Sequence, residues 1–288
     1  MWVLKKVFLF VSFVALHKAN AYEHSSQALW YDADDECSLD RQSPIELSSY
    51  EALETNDIPL LVFHNYQSTY ITPAVLTNNG HSADLQIPKS HFASITGGPL
   101  HNRMYITESL HFHWGSGNNH GAEHVVDSHR YSMEMHIVHR NAKYPNIAEA
   151  TQHADGLAVL GVFYNVDTSQ DDFAGLNKIV NALDAIRVYN TSTNVNNLNL
   201  SELFGNIDTE EFFTYKGSLT TPPCSRAVTW IVFPEPIQIS SNQINKFRSL
   251  YDSHGDPLVN NYRCLQAKGR RQVYLRRSNE VYAEFELF

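Results

Sequence analysis

Cysteine is scarce in this chain. Cys37, Cys224 and Cys264 are the only three among 288 residues. That is too few for a disulfide-built scaffold, and an oxidised chain can close one bridge with one thiol left over, by any of three pairings. Basic residues are few as well: 21 Lys and Arg stand against 31 Asp and Glu, for a formal net charge of −10. They cluster only in Lys268-Gly269-Arg270-Arg271 and Arg276-Arg277, which read as exposed strand ends, so nucleic acid is not an expected partner. Past the first residues no stretch is apolar enough to span a bilayer, and Glu284-Phe285-Glu286-Leu287-Phe288 lacks a lipid-anchor tail. There is no internal repeat, low-complexity tract or linker to divide the chain. An H-E-x-x-H motif is absent too, which removes the helix-borne zinc peptidases.

What is present begins with an address. Lys5 and Lys6, an apolar stretch from Val7 to Leu16, and the small-x-small Ala19-Asn20-Ala21 predict a secretory signal peptide over 1–21. The mature chain, 22–288, is expected to be one secreted, extracellular domain without a membrane span. Two sequons, at Asn190 and Asn199, are candidate glycan sites.

β-rich or alternating runs occupy 68–76, 82–87, 103–114, 131–139, 157–165, 211–216, 227–233 and 272–275. Two helices are predicted. One carries Phe173, Leu176, Ile179, Val180, Leu183 and Ile186 after Ser169-x-x-Asp172, and the other carries Ile244, Phe247, Leu250 and Tyr251 after a Ser240-x-x-Gln243 capping box. The pattern predicts a mainly β single domain on a large, twisted, mostly antiparallel central sheet with peripheral short helices.

The most informative run is Leu110-His111-Phe112-His113-Trp114. In a strand His111 and His113 project from one face about 7 Å apart, with Leu110, Phe112 and Trp114 behind. Ser132-Met133-Glu134-Met135-His136-Ile137-Val138 alternates likewise and puts Glu134 and His136 on one face. If the two strands pair antiparallel, three imidazoles converge, and three neutral nitrogens with an open fourth position describe a catalytic zinc. His17, His24, His120 and His129 are expected to be bystanders. The rigid Ser218-Leu219-Thr220-Thr221-Pro222-Pro223 run can fix the Thr220 hydroxyl, and Glu123 is the candidate carboxylate to accept its proton.

These residues also carry a family likeness. Thr77-Asn78-Asn79-Gly80-His81, Gly97-Gly98-Pro99-Leu100, His111-x-His113-Trp114-Gly115, Glu123-His124-x-x-Asp127, Glu134-x-His136-x-Val138-His139, Gly217 to Pro223, Val228-Thr229-Trp230, Gln42-Ser43-Pro44-Ile45 and Asn261-Tyr262-Arg263 resemble alpha-class carbonic anhydrases of the secreted type. The likeness keeps order and spacing over roughly residues 30 to 287. It implies a zinc lyase that hydrates carbon dioxide reversibly to bicarbonate and a proton, by attack of zinc-bound hydroxide, with Zn2+ held by His111, His113 and His136. It further implies that Glu134 orients His136, that Thr220 with Glu123 orients the hydroxide, and that His81 is the proton shuttle. Val138, Val159, Leu219 and Val228 match the apolar wall for carbon dioxide, and Thr220, Thr221 and Trp230 complete the pocket. Cys37 and Cys224 match the disulfide of secreted members, leaving Cys264 free or bridging two chains in a dimer.

There are departures. Ser109 replaces the Gln that usually supports the first ligand, so the support behind His111 is shorter. Asp84 and Glu108 fall at the cavity rim, where neutral residues are commoner, and are expected to make it negative. The competing class is a non-catalytic interaction module of the same fold, against which the intact histidine set argues.

Overall fold

The computed structural model describes residues 23–30 and 35–278. The expected signal segment lies outside them, as does Tyr22. Twelve strands form one sheet. Its main path runs Ser192–Val195, Ala74–Asn78, Ala83–Gln86, Tyr105–Trp114, Met133–Asn141, Leu157–Val166, Val228–Ile239, Phe212–Gly217, Tyr274–Arg276, Leu53–Glu54. Leu61–His64 and Ser94–Gly97 pair with each other, and the latter also joins Tyr105–Trp114. The mainly β, mostly antiparallel sheet is therefore as expected, though it is mixed. Leu157–Val166 runs parallel to Val228–Ile239, and Tyr274–Arg276 runs parallel to Leu53–Glu54.

The centre of the sheet is buried on both sides. Leu157 to Tyr164 is buried without a break, the continuous apolar run of a strand covered on two faces. On one face Phe112, Met135, Leu160 and Ile231 join the larger core with Leu176, Ile179 and Phe247 of the helices. The other face carries a second core of Val159, Phe163, Tyr215, Val228 and Trp230, and the histidines rise from this side. Side-chain alternation accounts for the division, because each histidine strand sends its apolar residues one way and its polar ones the other.

The Ser240 capping box forms as predicted at the start of the helix Ser241–Arg248. The other predicted helix does not form as one piece. It breaks into Ala174–Leu176, Asn177–Val180 and Leu183–Ile186, and Phe173 stands at its start with no side-chain cap. Ser169 is bonded instead to Asp167, and Asp172 accepts from Ser240. The apolar spacing is still satisfied, since Leu176, Ile179, Leu183 and Ile186 are all in the core.

Arg276 is not at an exposed strand end. Its guanidinium is buried and donates to the carbonyls of Ile58 and Glu210. The Cys37–Cys224 disulfide is formed, with Cα atoms 5.0 Å apart across 187 residues of sequence, and Cys264 is free and exposed. Among the described residues no helix is long and apolar enough to cross a membrane.

Candidate metal centre

Antiparallel pairing sets His111 opposite His136 and His113 opposite Glu134. One ligand nitrogen from each of the three histidines then lies within 4.8 Å of the other two. The hydrogen bonds around the rings decide which nitrogens face inward. His113 Nδ1 donates to the Asn261 carbonyl at 2.7 Å, and His136 Nε2 donates to Glu134 Oε1 at 2.8 Å. That leaves His113 Nε2 and His136 Nδ1 as lone-pair acceptors, and these two face each other at 3.1 Å. Two acceptors that close repel unless something electron-poor lies beside both. A tetrahedral zinc with Zn–N of about 2.0–2.1 Å holds its ligands roughly 3.3–3.4 Å apart, so the pair fits that ion.

Electrostatics favour the neutral rings a metal requires. Burial, then the neighbouring histidines, holds His111 well below its ordinary pKa, and burial with His136 brings His113 to about 3. Glu134 is the anchor of the arrangement. Its Oε2 accepts from the amides of Glu123 and His124, and its Oε1 from His124 Nδ1 and His136 Nε2. Burial alone would raise its pKa, but the interactions with His124 and His136 outweigh that and hold it well below the carboxylate range. Gly161 sits opposite His136 and makes room for this carboxylate. A Cβ there would lie 3.0 Å from Glu134 Oε1. Behind His124, Nε2 lies 2.7 Å from the Tyr215 hydroxyl, which itself donates to Ser43 Oγ.

Glu123 stands beside the histidines, fully buried. Its Oε1 accepts from the Arg263 amide at 2.7 Å, while Oε2 has no hydrogen-bond partner and lies 3.6 Å from His113 Nε2. Burial raises its pKa, opposed by His136 and by the Thr220 hydroxyl. The same oxygen lies 3.9 Å from His136 Nδ1, so the carboxylate stands beside two of the three ring nitrogens, with the Thr220 hydroxyl facing it. The loop carrying Thr220 is tied by Leu219 N–H to the Ser225 carbonyl, by Cys224 N–H to the Thr221 carbonyl, and by the disulfide. Val159, Val228 and Trp230 belong to the core on this face, with Val138 and Leu219 packed against it, and Thr221 is half-buried beside them in sequence. The Trp230 ring meets His136 edge-on at 4.7 Å.

His81 sits in a tight turn, half-buried, with its amide bonded to Asn79 Oδ1 and its carbonyl held by Asn261 Nδ2. Burial lowers its pKa, against the pull of Asp252 and Glu23. Sequence reasoning set His24 aside, yet its ring lies 6.2 Å from that of His81 and 5.6 Å edge-on from Trp30. It also left His124, Tyr215, Gly161 and Asn261 without a role; His124 and Asn261 stand inside the family-like motifs, but the contacts that employ them join distant segments. Ser109 lies opposite Gln86 and Val138, and among the described residues no hydrogen bond joins it to the His111 ring.

The rim differs from expectation. Glu108 is bonded to Arg140 at 2.5 Å, so its charge is compensated. Asp84 lies opposite His111, bonded to Gln86 Nε2, with burial raising its pKa. The added negative charge of the rim thus reduces to Asp84. Of the sequons, Asn190 is exposed, whereas Asn199 is half-buried, donates to the Gln67 carbonyl and caps Leu200–Phe204.

Comparison with known proteins gives one answer. The family model described as eukaryotic-type carbonic anhydrase matches residues 25–277. Carbonic anhydrase 3 of Bos taurus is 36% identical over 255 residues, 86% of this chain and 94% of the relative. Carbonic anhydrase 3 of Sus scrofa is 36% identical over 254 residues, with the same coverage.

Proposed function

The chain belongs to the eukaryotic-type carbonic anhydrase family and is a carbonate dehydratase, and from that premise we propose that His111, His113 and His136 hold its catalytic Zn2+. The observation that carries this is the pair of acceptor nitrogens, His113 Nε2 and His136 Nδ1, converging at 3.1 Å while their other nitrogens are committed to donors' work elsewhere. Zinc on three histidines, when bound, supplies a Lewis acid that brings the pKa of water near 7, a general magnitude for which carbonic anhydrase is itself the standard example.

The chain's own residues supply the rest. Glu134 fixes the His136 ring so that Nδ1 points inward. Glu123, kept in place by the Arg263 amide, offers Oε2 as acceptor for the Thr220 hydroxyl, which sets the direction of the Thr220 lone pairs. Val138, Val159, Leu219 and Val228 give carbon dioxide an apolar wall, with Thr221 and Trp230 closing the pocket, and exclude competing water from it. His81, near neutral in its ordinary pKa, carries the product proton towards bulk buffer. Ser109 supports the strand beside His111. The Cys37–Cys224 bridge supports a secreted, extracellular protein, with 1–21 removed as signal and 22–288 as the mature domain. Sugar attachment at Asn190 and Asn199, and a dimer bridged through exposed Cys264, belong to the same proposal. The intact ligand set disfavours a non-catalytic interaction module.

Chelation tests the assignment. Dialysis against a strong zinc chelator should abolish carbon dioxide hydration, and one equivalent of zinc should restore it. Activity that survives removal of the metal would contradict the proposal.

A further inference from the structure

The run Lys268-Gly269-Arg270-Arg271 has no part in the chemistry above. It forms one wall of a cleft of about 610 Å3, whose other wall is residues 37–42. Clefts of this size hold small molecules or one short stretch of a polymer. Among the described residues five charged side chains line it, Asp40, Arg41, Lys268, Arg270 and Arg271. Four of the five are cationic, on a chain of net charge −10.

Compensation within the cleft is weak. Asp40 is engaged by Arg226 at 2.7 Å and reaches Arg41 only at 3.8 Å. Lys268 is paired to Glu51, but that carboxylate is well exposed, and solvent and salt screen exposed pairs of this kind. Arg270 is exposed and has no ion pair among the described residues. Arg271 donates to the carbonyls of Lys268, Lys216 and Ala267, so it braces its own loop while keeping its charge.

Both walls are anchored before any ligand arrives. Cys37 is bridged to Cys224, and the Gln42 amide donates to the carbonyls of Glu36 and Cys224. On the other side the Gln266 amide donates to the Pro44 carbonyl. A site whose walls are already fixed loses little freedom on binding. Among the described residues no aromatic side chain lines the cleft, so these walls offer no stacking platform on which bases of a nucleic acid rest. Three guanidiniums and an ammonium without aromatics suit an anion whose charge is carried on fixed tetrahedral groups along a sugar chain.

We propose that this cleft binds a sulfated polysaccharide through Arg41, Lys268, Arg270 and Arg271. The choice of sulfated over phosphorylated polymer rests on the proposed export of the protein; the binding itself does not, and neither depends on the zinc site.

The test uses the whole zinc-loaded protein and a sulfated heparin hexasaccharide, with affinity measured by calorimetry across a salt series. Arg41→Gln with Arg270→Gln should weaken binding at least tenfold. The same pair should lower the slope of log affinity on log salt by on the order of two, about one per cation removed. Carbon dioxide hydration should be unchanged in it. Arg103→Gln with Lys178→Gln, an equal charge change outside the cleft, should bind as the parent does. Equal weakening by both pairs, or no binding by the parent at low salt, would overturn the proposal. So would equal affinity for a desulfated hexasaccharide or a single-stranded oligonucleotide. A protein that binds the hexasaccharide through these residues yet stays inside the expressing cell would refute export and leave the cleft assignment standing.

Discussion

Asn261 is bonded to His113 through its backbone and to the His81 turn through its side chain. Its carbonyl accepts His113 Nδ1–H at 2.7 Å, and its amide donates to the His81 carbonyl at 2.8 Å. The side-chain oxygen accepts from Trp114 N–H at 2.7 Å. One buried residue thus ties the His113 ring to the turn that carries His81.

Asn261→Ala separates these roles, because the bond to His113 comes from the main chain and survives. The variant should keep its zinc but lose about 1–3 kcal/mol of stability, the cost of a buried Trp114 N–H left without a partner. Urea unfolding of the zinc-free proteins measures this. An unchanged midpoint would mean that water replaces the amide at no cost.

Closing a loop across 187 residues restricts the unfolded chain strongly. The chain-entropy model gives up to about 5 kcal/mol for Cys37–Cys224. Reduction, or Cys37→Ser with Cys224→Ser, should lower the urea midpoint and loosen the Thr220 loop. A loss below about 1 kcal/mol would show that the loop is held by its other bonds alone.

Replacing His81 should slow export of the proton without touching carbon dioxide attack. His81→Ala is expected to show a lower kcat, a nearly unchanged kcat/KM, and recovery with added imidazole. Parallel losses in both parameters without recovery would make His81 a structural residue.

Acid should destabilise the zinc-free protein in a defined window. His139 is fully buried, accepting from the Tyr66 hydroxyl and donating to the Ala158 carbonyl, and burial lowers its pKa to about 3. The unfolded chain binds this proton near the ordinary histidine value of about 6.5. Between about pH 6.5 and 3 the unfolded state therefore holds more protons, and stability falls as pH falls, by roughly 1.4 kcal/mol per unit for one such group. Burial brings His24 to about 3 as well, and it acts with the same sign. His139→Gln should flatten the pH dependence by one proton's worth. An identical slope in the variant would show that His139 does not stay neutral in the fold.

The sheet and the ligand set were legible because both rest on alternation. Period two in 110–114 and 132–138 fixes which side chains share a face, and pairing of those strands then brings His111, His113 and His136 together without further information. The rigid run before Pro222-Pro223 pointed to Thr220, with Glu123 as candidate acceptor, but their proposed pairing and the proposed role of His81 came from family likeness, since they stand on loops whose paths no local pattern encodes. What stayed hidden depends on contacts between distant segments. His124 reaches Tyr215 across 91 residues and Asn261 reaches His81 across 180. The helix predicted over 173–186 failed for a related reason. Its apolar positions needed burial, and three short turns supplied that without a Ser169 cap. Glu108 looked like free charge at the rim because Arg140, its partner, lies on the neighbouring strand.

The central claim is that three histidines, on two paired strands, hold the metal on which activity depends. Zinc stoichiometry and carbon dioxide hydration of His136→Ala, measured on one preparation beside the parent, test it most directly. The expected result is one zinc per parent chain, little in the variant, and no hydration above the uncatalysed rate. A variant that keeps both full zinc and full activity would contradict the account.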